Sequence, residues 1–210
     1  AVIDFNGEYT GNQLVNQEDK TTFNLDTRND DGVRFPLAEG EFWNKETLAI
    51  LFKATANTQT PFINRIVSGR ERFGGDIQNL ENYIKATFYR SFTTTNPKQE
   101  SAELLKAVVD IIDNQALRDI LNRLVWRGDQ SKFSYPGPAG TVYFDGREHD
   151  YDNVFRQDVD AINLQDLDAF GELIIRVNLQ LINDLLFGYV QFEHIQPLPK
   201  RIESSMTALS

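Results

Sequence analysis

Arg65, Arg70 and Arg72 run into the turn Phe73-Gly74-Gly75-Asp76. Glycines leading into a helix N-terminus can present backbone N–H groups to an anion. Arginines beside them can clamp a phosphate or carboxylate. Arg65, Arg70, Arg72, Gly74 and Gly75 are therefore the anion-binding candidates. The segment has neither the Lys-Ser/Thr pair of a P-loop nor the spacing of a dinucleotide fingerprint. Asp76 also sets a negative charge at the turn. The competing reading pairs these arginines with carboxylates, within or between subunits.

The chain has two histidines and no cysteine. Thiolate chemistry and disulfides are excluded, and a structural zinc site is strongly disfavoured. His149 lies among Asp145, Glu148, Asp150 and Asp152. Such a cluster can bind a divalent cation or tune a general base, but a solvated acidic turn explains it more simply. His194 reads as a surface or interface residue. The Asp26–Gly32 run resembles a calcium loop only superficially. Aligning Asn29, Asp31 and Gly32 puts Thr27 and Ala38 where the anchoring carboxylates belong. There is no G-x-S-x-G elbow and no H-E-x-x-H pair. No catalytic residue, metal or cofactor is assigned.

Aromatic residues are numerous: 15 Phe, 7 Tyr and 2 Trp. Many fall outside the helical segments, as arms that dock on neighbours require. Phe5, Tyr9, Tyr135, Tyr189 and Phe192 are the interface candidates. Packing of long loops onto their own core is the alternative.

These residues need a scaffold. The 210 residues suit a single domain, with 40% hydrophobic and 25% charged residues. The formal charge of -10 disfavours nonspecific duplex nucleic acid and anionic membranes as partners. No signal peptide or transmembrane run is visible, and no compartment can be assigned.

The expected fold is mainly α with a small amount of β, or α+β as an alternative. Residues 1–43 read as an arm or β-hairpin, with strands near Val2–Phe5 and Thr21–Leu25. The helical core spans about 44–127 and 164–187. Its helices are Glu46–Ala56, a short one from Pro61 that Gly69 breaks, Asp76–Phe92, Glu100–Asp113 and Gln115–Trp126. Asp76 is the expected N-cap. Residues 128–163 form a Pro/Gly loop, a strand at 141–144 and an acidic connector from Glu148 to Asp160. Asp166–Leu186 fits a helix by length, though Leu173, Ile175, Val177, Leu179 and Leu181 also alternate like a strand. Residues 188–210 read as an extended arm.

The function expected from this pattern is a non-enzymatic structural or assembly protein, a homo-oligomer subunit or a virion component. Its partner is itself or another protein subunit. Val33-Arg34-Phe35-Pro36, ahead of an acidic helical body, resembles coat proteins of rod-shaped plant viruses over those four residues. The region before it is too short for that family's paired helices. The alternatives are a small-molecule or phosphate-binding enzyme using Arg65–Asp76, and a protein-binding module using the Pro/Gly loop and C-terminal arm.

Overall fold

A computed structural model describes residues 15–20 and 38–207. The expected N-terminal strands, the Asp26–Gly32 turn, the Val33–Pro36 tetrapeptide, Phe5 and Tyr9 lie outside the described residues. Within residues 1–38, the described part is a 3-10 turn at Gln17–Asp19.

Residues 39–210 form a second unit, and its described part is mainly α with one small sheet. A short α1 (Glu39–Phe42) and α2 (Lys45–Leu51) lead into α3 (Gln59–Phe73) and α4 (Ile77–Thr93). Next come α5 (Glu100–Ile111) and α6 (Gln115–Arg123). Strands β1 (Val125–Arg127), β2 (Lys132–Gly137) and β3 (Gly140–Tyr143) make an antiparallel sheet in sequence order. A helical stretch follows, made of α7 (Glu148–Tyr151), a π turn (Asp152–Arg156) and α8 (Gln157–Asp160). Then come α9 (Ala169–Leu186), α10 (Phe192–Ile195) and α11 (Pro197–Thr207).

Helix α9 is the axis of this unit, packed by α3, α4, α5 and α11. Leu173, Ile175, Val177, Leu179 and Leu181 are all buried, and so are Ile174 and Ile182. A helix covered on every side carries apolar residues all round. That is why its sequence also alternates like a strand. Asp168 caps it, accepting from the Gly171 N–H at 2.6 Å. Asp76 caps α4 as expected, accepting from the Asn79 N–H at 2.8 Å. Asn44 caps α2 through the N–H groups of Glu46 and Thr47.

Several boundaries differ from the sequence reading, each for a physical reason. Helix α2 stops at Leu51 rather than Ala56, because Lys53 turns the chain at φ 49°. Gly69 lies inside α3 and does not break it. Phe62, Ile63, Ile66 and Val67 bury one face of that helix, outweighing the roughly 1 kcal/mol a mid-helix glycine costs. Helix α6 ends at Arg123, and Val125 and Trp126 belong to β1.

The Pro/Gly segment is regular after all. Gly137 pairs with Gly140 across a two-residue turn, and Gly140 adopts φ 125°, which only glycine takes readily. Pro136 lies beyond the last β1 partner, Ser134, so its missing N–H breaks no rung on that side. The acidic connector is helical, with Tyr151, Phe155 and Val159 buried and the carboxylates mostly outward. The C-terminal arm is not extended. Ile195, Leu198 and Ile202 are buried, and α11 packs on α9. Pro197 is the first residue of α11, where a missing N–H costs nothing.

An aromatic cluster ties the sheet to the helices. Phe155 stacks on Phe92 at 4.3 Å and also meets Phe88, Phe144 and Tyr151. Phe92 in turn meets Phe133 of β2. Burying each such ring stabilises the fold by about 1.5–3 kcal/mol.

Candidate functional site

Two of the three arginines singled out by sequence are committed to carboxylates of this chain. Arg65 donates Nε and Nη2 to Asp184, at 3.1 and 2.7 Å. Arg70 donates to Glu172 at 2.9 Å and to Glu39 at 2.8 Å, and its guanidinium lies 4.4 Å from the Trp43 ring. Arg72 lies over Phe73 at 5.5 Å. The three are not gathered at the glycine turn. A Cβ at Gly75 would fall 2.8 Å from the Arg70 guanidinium carbon, so this glycine makes room for Arg70 itself. The Asp76 carboxylate already fills the α4 N-terminus.

Arg65 and Arg70 fasten α3 antiparallel to α9. Asp184 is near the α9 C-terminus and Glu172 near its N-terminus. Arg176 shares Glu172 at 2.6 Å, so one carboxylate bridges two guanidinium groups. A polar chain continues into α4. Gln180 donates to Asp184 at 2.8 Å, and the Tyr83 hydroxyl donates to Gln180 at 3.4 Å. Asn183 donates to Thr87 at 3.1 Å and to Tyr83 at 3.3 Å, and its carbonyl accepts from Arg90. Buried polar groups joined this way orient the three helices.

Burial pushes the Tyr83 phenol up to about 12, helped by the nearby Asp184 charge. An unfolded tyrosine ionises near 10. Tyr83 therefore contributes stability below pH ~10, lost as pH rises toward about 12. Burial also raises Tyr151, which adds to the same loss. The expected result is a falling urea midpoint above pH ~10, with a shallower fall in Tyr83→Phe.

At the α9 C-terminus the chain turns outward. Phe187 and Tyr189 stack on each other, ring centroids 5.7 Å apart, yet remain 58% and 70% exposed. Arg90 lies over Phe187 at 5.5 Å. Beside them is an open groove of about 460 Å³, lined by Asn57, Pro61, Arg65, Tyr189, Gln191 and His194, among others. This groove was not visible in the sequence, because its walls come from the start of α3 and from the residues after α9.

The other expected site residues are spread through the fold. Tyr135 is buried under Arg123, whose guanidinium lies 4.7 Å from its ring. Phe192 is half-buried against the core. His149 is exposed on α7, its Nδ1 3.2 Å from the Asn153 amide. The Arg147 guanidinium holds the Asp145 carboxyl below its usual range. Among the described residues no group of three His, Asp or Glu side chains is placed to hold a metal ion. No helix among them is long and apolar enough to cross a membrane.

The chain matches no protein-family model, no curated protein and no solved structure.

Proposed function

We propose that this chain is a non-enzymatic structural or assembly protein, the subunit of a homo-oligomer or of a virion. The observation that carries this reading is the Phe187–Tyr189 pair, stacked in solvent at the end of the central helix. Large rigid aromatics held at a surface supply contact area at low entropic cost, and they are enriched at interfaces. The body behind them suits a subunit. Its ion pairs fasten α3 to α9, hydrogen bonds from Asn183 tie α4 to α9, and together they hold the exposed rings on a fixed frame.

The contact surface in this reading is the folded end of α9 rather than a free C-terminal arm. Deleting residues 189–210 would remove Leu198 and Ile202 from the core, so point variants are the appropriate probes. A concentration series by sedimentation velocity or mass photometry tests the proposal. Concentration-dependent oligomers are expected, and a strict monomer at high micromolar concentration would overturn it.

The groove at Arg65 and His194 favours a second reading, a module that binds another protein. In that case Tyr189→Ser would abolish partner capture while leaving the chain monomeric and folded.

A further inference from the structure

We infer that the groove between the start of α3 and the residues after α9 binds the pyranose ring of a neutral saccharide, stacked on Tyr189.

The groove has two fixed walls. Just past α9, Gly188 turns the chain at φ 73°, and the Tyr189 N–H donates to the Asp184 carbonyl at 2.8 Å. Gln59 of α3 donates to the His194 carbonyl at 3.1 Å, tying α10 to the other wall. The Arg65–Asp184 pair adds a second tie between α3 and the end of α9. The volume of about 460 Å³ lies within the range of small-ligand sites, roughly 300–1,000 Å³. Walls held in place before a ligand arrives lose little freedom when it binds.

The polar groups of this groove are available. The side chains of Asn57, Gln191, His194 and Tyr189 are exposed and make no hydrogen bond with any described residue. Amide and phenol groups each donate and accept, and an imidazole does so in its uncharged form. Sugar hydroxyls also donate and accept, so they match this set. Tyr189 supplies a flat surface as well. Its ring is 70% exposed, and Phe187 stacks against it and buttresses it. A pyranose carries an apolar face of C–H bonds, whose slightly positive hydrogens suit the negative face of an aromatic ring. A ligand that uses both the polar rim and the aromatic plate must itself have polar edges and an apolar face.

Charge argues against an ionic ligand. Among the described residues that line the groove, Arg65 is the one guanidinium, and Asp184 already matches it at 2.7 Å. Glu193, exposed and next to His194 in sequence, enters no ion pair among the described residues and would repel a phosphate. No Asp or Glu side chain lines the groove to attract a cation.

Saturation-transfer NMR on the full-length chain tests this, with the methyl glycosides of glucose, galactose, mannose and N-acetylglucosamine at millimolar concentration as probes. Tyr189 also belongs to the proposed subunit contact, so binding is measured where sedimentation velocity shows a monomer. Transfer to the ring protons of at least one glycoside is expected. Tyr189→Ser should weaken binding about tenfold, and Gln191→Ala about three- to tenfold, the loss of one hydrogen bond. Tyr189→Phe keeps the plate and should retain most of the affinity. Both side chains are exposed, and circular dichroism confirms that the variants fold. No transfer to any of the four glycosides would overturn the proposal. So would undiminished transfer in Tyr189→Ser, which would put the sugar elsewhere, or a Tyr189→Phe variant as weak as the serine one. Displacement of the sugar by inorganic phosphate would assign the groove to an anion and overturn it equally. Each of these results leaves self-assembly standing, whereas a chain that is monomeric at every concentration overturns the assembly reading alone.

Discussion

Replacing Arg65 with alanine should destabilise the protein by about 3–5 kcal/mol, the usual cost of stranding a buried charge. Asp184 is almost wholly buried, while Arg65 is partly exposed. Without Arg65, the buried Asp184 carboxylate keeps one side-chain donor, Gln180. The reverse change is milder. In Asp184→Asn the arginine can turn toward solvent, and a loss of about 1–2 kcal/mol is expected. Urea denaturation of both variants decides the matter. If Asp184→Asn proved costlier than Arg65→Ala, desolvation of the carboxylate would not be the controlling effect.

Phe155→Ala should cost as much or more. Its ring is fully buried among Phe88, Phe92, Phe144 and Tyr151. Truncating a buried phenylalanine loses the transfer free energy of the ring and leaves a cavity, together about 3–5 kcal/mol. That is a large share of a typical domain's stability of roughly 5–15 kcal/mol. Because Phe155 bridges α4 to the π turn and to β3's following residue, thermal unfolding should stay a single transition, shifted downward by several degrees. A separate early transition would mean that the sheet and the 148–160 stretch form an independent unit.

The mainly α fold with a little β was legible in the sequence, and the reasons are specific. Helices α4 and α5 bury one face each, so Leu80, Ile84 and Phe88 recur at helical spacing. The Asp76 cap follows Gly74-Gly75 with a local chemical signature. What escaped was structure set by distant partners. Tyr151, Phe155 and Val159 recur every four residues, a period drowned by the intervening acids. The prolines of α11 suggested an extended tail, because proline marks a helix start and a chain break alike. Pro136 and Gly137 suggested a loop, because sequence does not reveal which side of a strand lacks a neighbour.

The candidate site was legible as a set of residue types and not as a place. Arg65 and Arg70 pair with Asp184 and Glu172, more than 100 residues away. No local spacing encodes such a pairing. Tyr189 was singled out for its position in an aromatic-rich flank. Its stacking partner Phe187 was missed, because it closes a helix whose other apolar residues are core.

The π turn at Asp152–Arg156 amounts to one spare residue in a helix. In a continuous α-helix, each residue advances the side chain by about 100°, so a spacing of four drifts by roughly 40°. The widened turn takes up that drift and keeps Tyr151, Phe155 and Val159 on one line facing the core. It works as a vernier between two registers. A chain one residue shorter here would swing Phe155 away from Phe88 and Phe92 while leaving Tyr151 in place. Length is therefore constrained in this stretch alongside its buried side chains, although its exposed acidic surface gives no outward sign of it.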